Sequence, residues 1–151
     1  LDSRTILVAA TNHEHLLDPA VWRRFDYTLK IDVLDLDSRK ALINFFLDEN
    51  KLDINLLAEL SEGLSGAVIK QMINKSLRRV VLNEKLNLQE QLIETFLTAN
   101  GVLGERLKGR QRESLIKGMK YLRSINQKKY TFEELQRITS IPSSTLHYLV
   151  M

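Results

Sequence analysis

An asparagine and two adjacent arginines near the start of the chain have side chains that could act on a phosphate group. Asn12 follows the apolar residues 6–10, and Arg23 and Arg24 follow a short segment with the composition of a helix. An amide at a strand end can orient water or contact a γ-phosphate, and an arginine pair can stabilise the charge on a neighbouring molecule's phosphates. Each feature alone has a plainer interpretation, because asparagine is common in turns and arginine is favourable at a helix end. Together they predict a role in phosphoryl transfer.

The residues around them predict a strand, a short helix and a second strand. Residues 5–11 and 27–33 are apolar or alternating, as expected for strands of an α/β sheet. Asp18 and Pro19 mark the start of the intervening helix, since aspartate caps helix N-termini and proline suits the first helical position. Two strands cannot bury both faces of a sheet, so we expect the natural chain to continue upstream of Leu1.

Amphipathic periodicity predicts four helices after the second strand. They span residues 37–50, 54–61, 66–84 and 88–99. Asp37 or Ser38 can cap the first of them, and Ser65 can cap the third. Gly63 has the position of a glycine that ends the second helix. A small all-helical unit is therefore expected to follow the strand–helix–strand segment.

Two motifs in this region resemble those of the AAA family of ATPases. The first runs Ala-Ala-Thr-Asn at 9–12, Leu-Asp-Pro-Ala at 17–20 and Arg-Arg-Phe-Asp at 23–26, and the second is Gly-Leu-Ser-Gly-Ala-Val-Ile at 63–69. The first lacks the Pro-Gly that often separates the two arginines, and the second has Val68 where the family usually has aspartate. The resemblance covers about residues 4–99 and implies the end of an α/β core followed by a helical lid.

The resemblance implies catalytic roles in the first motif. Asn12 would be the sensor 1 residue of its own site, and Arg23 and Arg24 would be arginine fingers that act on the ATP of a neighbouring subunit. ATP and Mg²⁺ would be the cofactors of a longer parent protein, which would self-associate into a ring and remodel a macromolecule such as a protein substrate. No Gly-x-x-x-x-Gly-Lys-[Ser/Thr] loop is present, so we expect the chain itself not to hydrolyse ATP.

The resemblance also implies nucleotide contacts in the lid. Gly66 and Ala67 lack bulk, so a purine and ribose could approach the helix that they begin. The same small residues could instead allow close helix packing. Phe46 would lie near the adenine, together with or instead of Phe45, although paired aromatics on an amphipathic helix are more often part of a core.

A basic segment and a second group of helices end the chain. Residues 105–129 hold 9 Lys/Arg and 2 Asp/Glu, a net charge of +7, whereas the whole chain has +3. After a glycine-containing linker at 100–110, helices are predicted at 111–126, 132–138 and 144–151. Thr131 and Glu134 form a potential capping box for the middle helix. The spacing resembles a helix-turn-helix unit over residues 111–151.

Such a unit could bind DNA or dock a protein. Cations on the first helix could neutralise phosphates, and hydroxyls on the last helix could reach phosphates or bases. The candidate residues are Arg112, Lys117, Lys120, Arg123, Ser144 and Thr145, with Arg110, Ser143 and His147 beside them. The last helix has no Arg, Lys, Asn or Gln, the best readers of bases, so a solvated surface or a protein-docking role is the alternative.

The composition narrows the remaining possibilities. The chain has no cysteine and no apolar run of membrane-spanning length, so disulfides and a membrane span are not expected. No metal site is expected, because His13 and His15 would face different sides of a helix. We predict a cytoplasmic, mainly α protein. Its expected parts are the end of an α/β core (1–34), a lid (35–100) and a helix-turn-helix-like domain (111–151).

Overall fold

The structure, a computed structural model, describes residues 5–47, 52–103 and 109–150, without the side chains of residues 101–103 and 110. These residues contain one short 3₁₀-helix and eight α-helices, and no strand is found among them. The chain divides into two compact units between Asp32 and Val33. The prediction of a mainly α protein is therefore confirmed.

The first unit contains a 3₁₀-helix at Glu14–Leu16 and one turn of α-helix, α1, at Pro19–Trp22. The start of α1 follows the prediction, because Asp18 Oδ1 accepts a hydrogen bond from the Ala20 N–H at 2.7 Å. Pro19 occupies the first helical position, where its missing N–H costs nothing.

The segments predicted as strands are not strands in this structure. Residues 5–11 and 27–33 have no regular secondary structure, and Ile6 and Ile31 are 89% and 95% exposed. A strand is stable only where a neighbour pairs its N–H and C=O groups and covers its apolar side chains. The described residues of this unit supply no such neighbour, so the structure departs from the prediction at both segments.

The second unit is built from helices that share one hydrophobic core. In the described residues these are α2 at Leu36–Phe46, α3 at Ile54–Leu60, α4 at Gly66–Leu82, α5 at Leu88–Leu103, α6 at Arg110–Ile125, α7 at Phe132–Thr139 and α8 at Ser143–Val150. Two caps follow the prediction. Ser65 Oγ accepts from the Val68 N–H at 3.4 Å, and Thr131 Oγ1 accepts from the Glu134 N–H at 3.2 Å.

Helix α2 differs from the prediction in its start. Asp35, rather than Asp37 or Ser38, caps it, because Asp35 Oδ1 accepts from the Ser38 N–H at 2.8 Å. Hydrogen bonding from the Ser38 side chain, followed by that from the Ser38 N–H, lowers the pKa of the Asp35 carboxyl, since both favour the charged form. Residues 48–50, which were predicted to belong to the same helix, lie outside the described residues.

The buried face of α2 includes a charged residue. Arg39 is buried, and its guanidinium donates to the carbonyls of Leu34 at 2.7 Å and Ala58 at 2.9 Å. Ile43 is fully buried on the same face, whereas Phe45 is 80% exposed. The arginine can be buried because its donors meet backbone carbonyls, which offsets part of its desolvation.

The centre of the core is α5, which packs against α3, α4, α6 and α7. Its fully buried side chains include Leu92, Ile93, Phe96 and Leu97. Helix α8 completes the core by packing against α6 and α7. Helices α2 to α5 and helices α6 to α8 therefore lie in one compact unit.

The linker predicted at 100–110 does not separate these two groups of helices. Residues 100–103 continue α5, and residues 104–108 lie outside the described residues. Close packing at Gly118 of α6 holds the groups together. A Cβ at Gly118 would lie 3.3 Å from methyl carbons of both Leu60 and Leu97. Glycine here lets α6 approach α3 and α5 closely.

A polar network joins the α6–α7 turn to α5. The hydroxyl of the fully buried Tyr130 donates to Glu90 Oε1 at 2.6 Å and lies 3.1 Å from Glu94 Oε2. Lys129 Nζ binds the same Glu90 oxygen at 2.7 Å. Although burial opposes its ionisation, the hydrogen bonds from Lys129 and Tyr130 hold the pKa of Glu90 below its ordinary value. The network gives the buried Tyr130 hydroxyl two carboxylate partners.

We expect wild-type protein to lose stability above pH 10 more steeply than the Tyr130→Phe variant. Burial, the hydrogen bond to Glu90 and the nearby charges raise the pKa of Tyr130 far above its ordinary value of 10.0. A group whose pKa is raised by folding stabilises the fold fully below its ordinary pKa, and this contribution falls as pH rises above it. Thermal unfolding from about pH 8 to pH 11 measures the difference. Tyr148→Phe, at an exposed position, is the control, and its stability should depend on pH as that of the wild type does. If the stability of Tyr130→Phe falls with pH in parallel with that of the wild type, the prediction is wrong.

Candidate functional site

The predicted catalytic residues all lie in the first unit and are exposed. Asn12 lies in a bend, next to Thr11, whose Oγ1 accepts from the His13 N–H at 3.0 Å. Arg23 ends α1, and the N–H of Arg24 donates to the Val21 carbonyl at 3.1 Å. Both guanidinium groups are therefore carried on a short capped helix, where an anion could reach them.

The second motif forms the turn between α3 and the start of α4. Gly63 has a φ of +79°, a conformation that glycine adopts without strain. A Cβ at Gly66 would lie 3.3 Å from Leu42 Cδ2 and 3.6 Å from Leu34 Cδ1. Gly66 therefore allows α4 to pack closely against these leucines. Ala67 is exposed on the first turn of α4.

The structure brings Phe46 close to α4. Phe46 is half-buried, and Lys70 Nζ lies 5.5 Å from the centroid of its ring. Phe45 packs edge-on against Phe46 with ring centroids 5.3 Å apart, but points largely into solvent. An aromatic ring, an ammonium group and the small Ala67 thus occur at the start of α4, where they could contact a planar, anionic ligand.

Only some of the basic residues predicted on α6 face solvent freely. Lys117 Nζ forms an ion pair with Glu59 at 2.8 Å, which raises the pKa of the lysine. Arg123 donates to the Tyr130 carbonyl at 3.1 Å, and its guanidinium carbon lies 4.2 Å from the centroid of the Phe132 ring. Arg112 and Lys120 are exposed. Two of the four cations predicted to bind DNA, Lys117 and Arg123, are therefore engaged by other groups of the fold.

The start of α8 exposes the predicted hydroxyls. Ser144 and Thr145 face solvent, and the Ser143 N–H donates to Gln136 Oε1 at 3.0 Å. His147 stacks on Phe132 with ring centroids 5.0 Å apart. This surface carries few groups able to bind a base in a duplex.

The cations of α4 were not among the predicted site residues. They line an open groove of about 560 Å³ along the helix, formed by Ala67, Lys70, Gln71, Asn74, Lys75, Arg78, Arg79 and Leu82. The sequence contained a signal for it, since α4 has four Lys/Arg and no Asp/Glu. The larger charge excess of residues 105–129 directed the prediction to α6 instead.

The part of the chain that the structure describes has no group of three or more His, Asp or Glu side chains placed to hold a metal ion. In the same residues, none of the helices combines the length and the apolar character needed to cross a bilayer.

Part of the sequence is similar to proteasome-activating nucleotidases and to an ATP-dependent zinc metalloprotease. The proteasome-activating nucleotidase of Saccharolobus islandicus is 39% identical over 72 residues, which cover 44% of this chain and 18% of that protein. The same kind of protein from Sulfurisphaera tokodaii is 36% identical over 76 residues, covering 46% of this chain and 19% of the relative. The ATP-dependent zinc metalloprotease FtsH of Pseudomonas putida is 38% identical over 77 residues, covering 47% and 12%.

These relatives support an AAA ATPase carboxy-terminal region in this chain. That much of the predicted resemblance is confirmed. The chain spans less than a fifth of the length of each of these relatives. No family model matches the chain, and no solved structure matches it.

Proposed function

We propose that this chain is the carboxy-terminal part of an AAA ATPase subunit that couples ATP hydrolysis to remodelling of a macromolecule. The similarity to proteasome-activating nucleotidases and to FtsH carries the proposal. The order of the helices adds support, because α2 to α5 follow the motif-bearing first unit as a lid would follow an ATPase core. The short share of each relative that is matched agrees with a part of a larger subunit.

In this proposal the first unit completes an ATP site at a subunit interface. Asn12 senses the γ-phosphate or orients the attacking water in its own subunit. Arg23 and Arg24 extend from the end of α1 to the neighbouring subunit's ATP, where the negative charge grows in the transition state. A ring of subunits follows from this arrangement, since each site needs arginines from the next subunit.

The exposed apolar segments of the first unit support the proposal that other strands of an ATPase core pair with them. Four apolar side chains are each more than four-fifths exposed: Ile6, Val8, Leu29 and Ile31. A large apolar area, whose burial would be favourable, is therefore in contact with water. We propose that residues 5–11 and 27–33 become strands when the neighbouring strands of an ATPase core pair with them. Backbone pairing and apolar burial would then be supplied together.

The lid contributes to nucleotide binding through α2 and α4. Ala67 and Phe46 would contact the base and ribose, while Gly66 keeps α4 packed on Leu42. The Mg²⁺ ion of the parent neutralises phosphate charge when bound. The described residues hold no group of three or more His, Asp or Glu side chains placed for a metal ion. We propose that the Mg²⁺ ligands belong to the part of the parent that carries the phosphate loop.

The carboxy-terminal helices fit a docking element better than a DNA reader. Lys117 pairs with Glu59, Arg123 donates to the Tyr130 carbonyl, and α8 exposes hydroxyls, His147 and Tyr148 rather than base-reading groups. Tyr148 is 89% exposed, as an aromatic anchor for a protein partner would be. We therefore propose that α6 to α8 serve assembly or bind a partner protein.

We expect the purified chain to show no ATP hydrolysis above background. The chain lacks a phosphate loop to hold the β- and γ-phosphates, and positioning and electrostatic stabilisation supply almost all of the catalysis of phosphoryl transfer. The rate of ATP hydrolysis is measured as phosphate release in the presence of ATP and Mg²⁺. The Arg23→Ala variant is the matched control. Turnover that depends on Mg²⁺ and is lost in Arg23→Ala would show a complete site in this chain and contradict the proposal.

A further inference from the structure

A buried arginine holds the segment through which the chain enters the second unit. Arg39 lies on α2, and its Nε donates to the Ala58 carbonyl of α3 at 2.9 Å. Its Nη1 donates to the Leu34 carbonyl at 2.7 Å. Leu34 is the second residue of this unit and precedes the residue that caps α2. The guanidinium therefore ties the entry segment to both α2 and α3.

These hydrogen bonds specify geometry more than they add stability. In the described residues both partners of the guanidinium are backbone carbonyls, and no ion pair includes Arg39. A buried cation without a carboxylate partner regains only part of its desolvation cost, but a planar guanidinium fixes the directions of its donors. The Ala58 carbonyl also accepts from the Ser61 hydroxyl at 2.9 Å. Among the described groups, only Arg39 donates to the Leu34 carbonyl.

The side chain of Leu34 reaches the start of α4. A Cβ at Gly66, the first residue of α4, would lie 3.6 Å from Leu34 Cδ1 and 3.3 Å from Leu42 Cδ2. Leu42 follows Arg39 by three positions on α2, so these two residues share a face of that helix. Leu34 and Leu42 thus form a support for Gly66, the leucine seat. Arg39 binds the carbonyl of one member and lies on the same helix face as the other.

The leucine seat adjoins the residues that the proposed function assigns to the nucleotide. Ala67 follows Gly66 and is exposed, and Phe46 lies one turn beyond Leu42 on α2. The Phe46 ring is 5.5 Å from Lys70 Nζ of α4. A shift of the start of α4 against α2 would therefore change the separation of Ala67 from Phe46, where the base and ribose are proposed to bind.

We propose that Arg39 is a positioning residue for nucleotide binding by the lid. It holds the Leu34 carbonyl, keeps the leucine seat in place under Gly66, and acts through these leucines rather than by touching the nucleotide. The inference rests on the proposed function and adds to that site a residue outside both sequence motifs. A contact to the base is made in the ground state and in the transition state alike, so Arg39 affects nucleotide affinity rather than the rate at saturation.

The first measurement uses this chain by itself and follows hydrogen exchange by NMR at the amide of Ile69. This N–H donates to the Ser65 carbonyl at 3.0 Å in the first turn of α4. Arg39→Met should raise the ratio of its exchange rate to that of the Leu135 amide in α7 by about tenfold, because the released carbonyl loosens its own surroundings most. Ile43→Val trims a fully buried side chain of α2 but keeps the guanidinium, and should leave this ratio unchanged.

The second measurement uses a longer protein that joins this chain to a phosphate loop. Arg39→Met should raise the Kd for ADP and the KM for ATP by about tenfold or more, since small misplacements of a binding contact are costly. The kcat should stay within about twofold. Arg39→Lys keeps the charge but lacks the fork of donors, so it should shift both constants in the same direction. Lys40→Met removes the next cation of α2, which pairs with Asp37 at 3.7 Å, and should leave both constants unchanged.

A double substitution tests the link through the leucine seat. Leu34→Ala shortens the side chain that supports Gly66 but keeps the carbonyl that Arg39 binds. It should weaken ADP binding on its own. Combined with Arg39→Met, it should weaken ADP binding no more than Arg39→Met alone does, because both changes remove the same support.

Two results would overturn this inference and leave the proposed function intact. One is an ADP affinity of Arg39→Met equal to that of the wild type. The other is an exchange ratio that Arg39→Met changes no more than Ile43→Val does, which would leave Arg39 a general contributor to stability. If Arg39→Met does not fold, the same two readouts on Arg39→Lys decide the question. Absence of nucleotide binding in the wild-type longer protein would overturn the proposed function and this inference together.

Discussion

Replacing Arg23 or Arg24 by alanine should lower ATP turnover by about 10³-fold or more in a longer protein that joins this chain to a phosphate loop. Nucleotide binding should change little, because a finger acts on charge that develops only in the transition state. Both arginines are exposed at the end of α1, so their removal leaves no buried group unpaired. Steady-state turnover and nucleotide affinity, measured on the same preparation, separate the two effects.

A matched control and a mixing experiment test the position of these arginines. Lys30→Ala removes another exposed cation of the first unit, which pairs with Asp32 at 3.6 Å, and should leave turnover within about twofold, since exposed pairs contribute little. A finger variant should regain activity when mixed with a subunit that is defective only in its phosphate loop, because the two defects lie on opposite sides of an interface. No recovery in mixed assemblies would assign the arginines a structural role.

Phe96→Ala should lower the free energy of unfolding of the second unit by about 3–5 kcal/mol. Phe96 is fully buried on α5, the helix that contacts both α3 and α4 on one side of the sequence and α6 and α7 on the other. Its truncation leaves a cavity that such a packed core cannot close. Denaturant unfolding measures the change, and Tyr148→Ala, at an exposed position of α8, should stay within about 0.5 kcal/mol.

The same variant tests whether the second unit unfolds as one. If α3 and α8 share a core through α5 and α6, hydrogen exchange at the amides of both helices should accelerate together in Phe96→Ala. Acceleration in α3 without α8 would instead show two cooperative domains divided near residue 104, as the sequence predicted.

Local chemistry determined the features that the sequence predicted well. Asp18, Ser65 and Thr131 each cap a helix through a hydrogen bond that spans two or three residues. Such a bond depends only on the side chain and its immediate neighbours, so its pattern is visible in the sequence. The helix bounds differ from the predicted ones by few residues for the same reason.

The functional prediction had a different basis. It depended on the order of motifs around Asn12, the two arginines and Gly63, and similarity to ATPases supports it in its broad form. The individual roles of Asn12, Arg23 and Arg24 stay predictions, because a finger is defined by a neighbouring subunit's phosphate. That contact is not a property of one chain.

Only the tertiary structure decided which polar groups are free to act. Lys117 finds Glu59, which is 58 residues away, and Arg39 binds the carbonyl of Ala58. Sequence periodicity shows that a residue lies on a helix face but not which helix will cover that face. Lys75 and Arg78 of α4, which form no ion pair among the described residues, and the engaged Lys117 and Arg123 of α6 therefore looked alike in the sequence. The strands predicted at residues 5–11 and 27–33 show the same limit, because a strand acquires its stability from partners outside its own sequence.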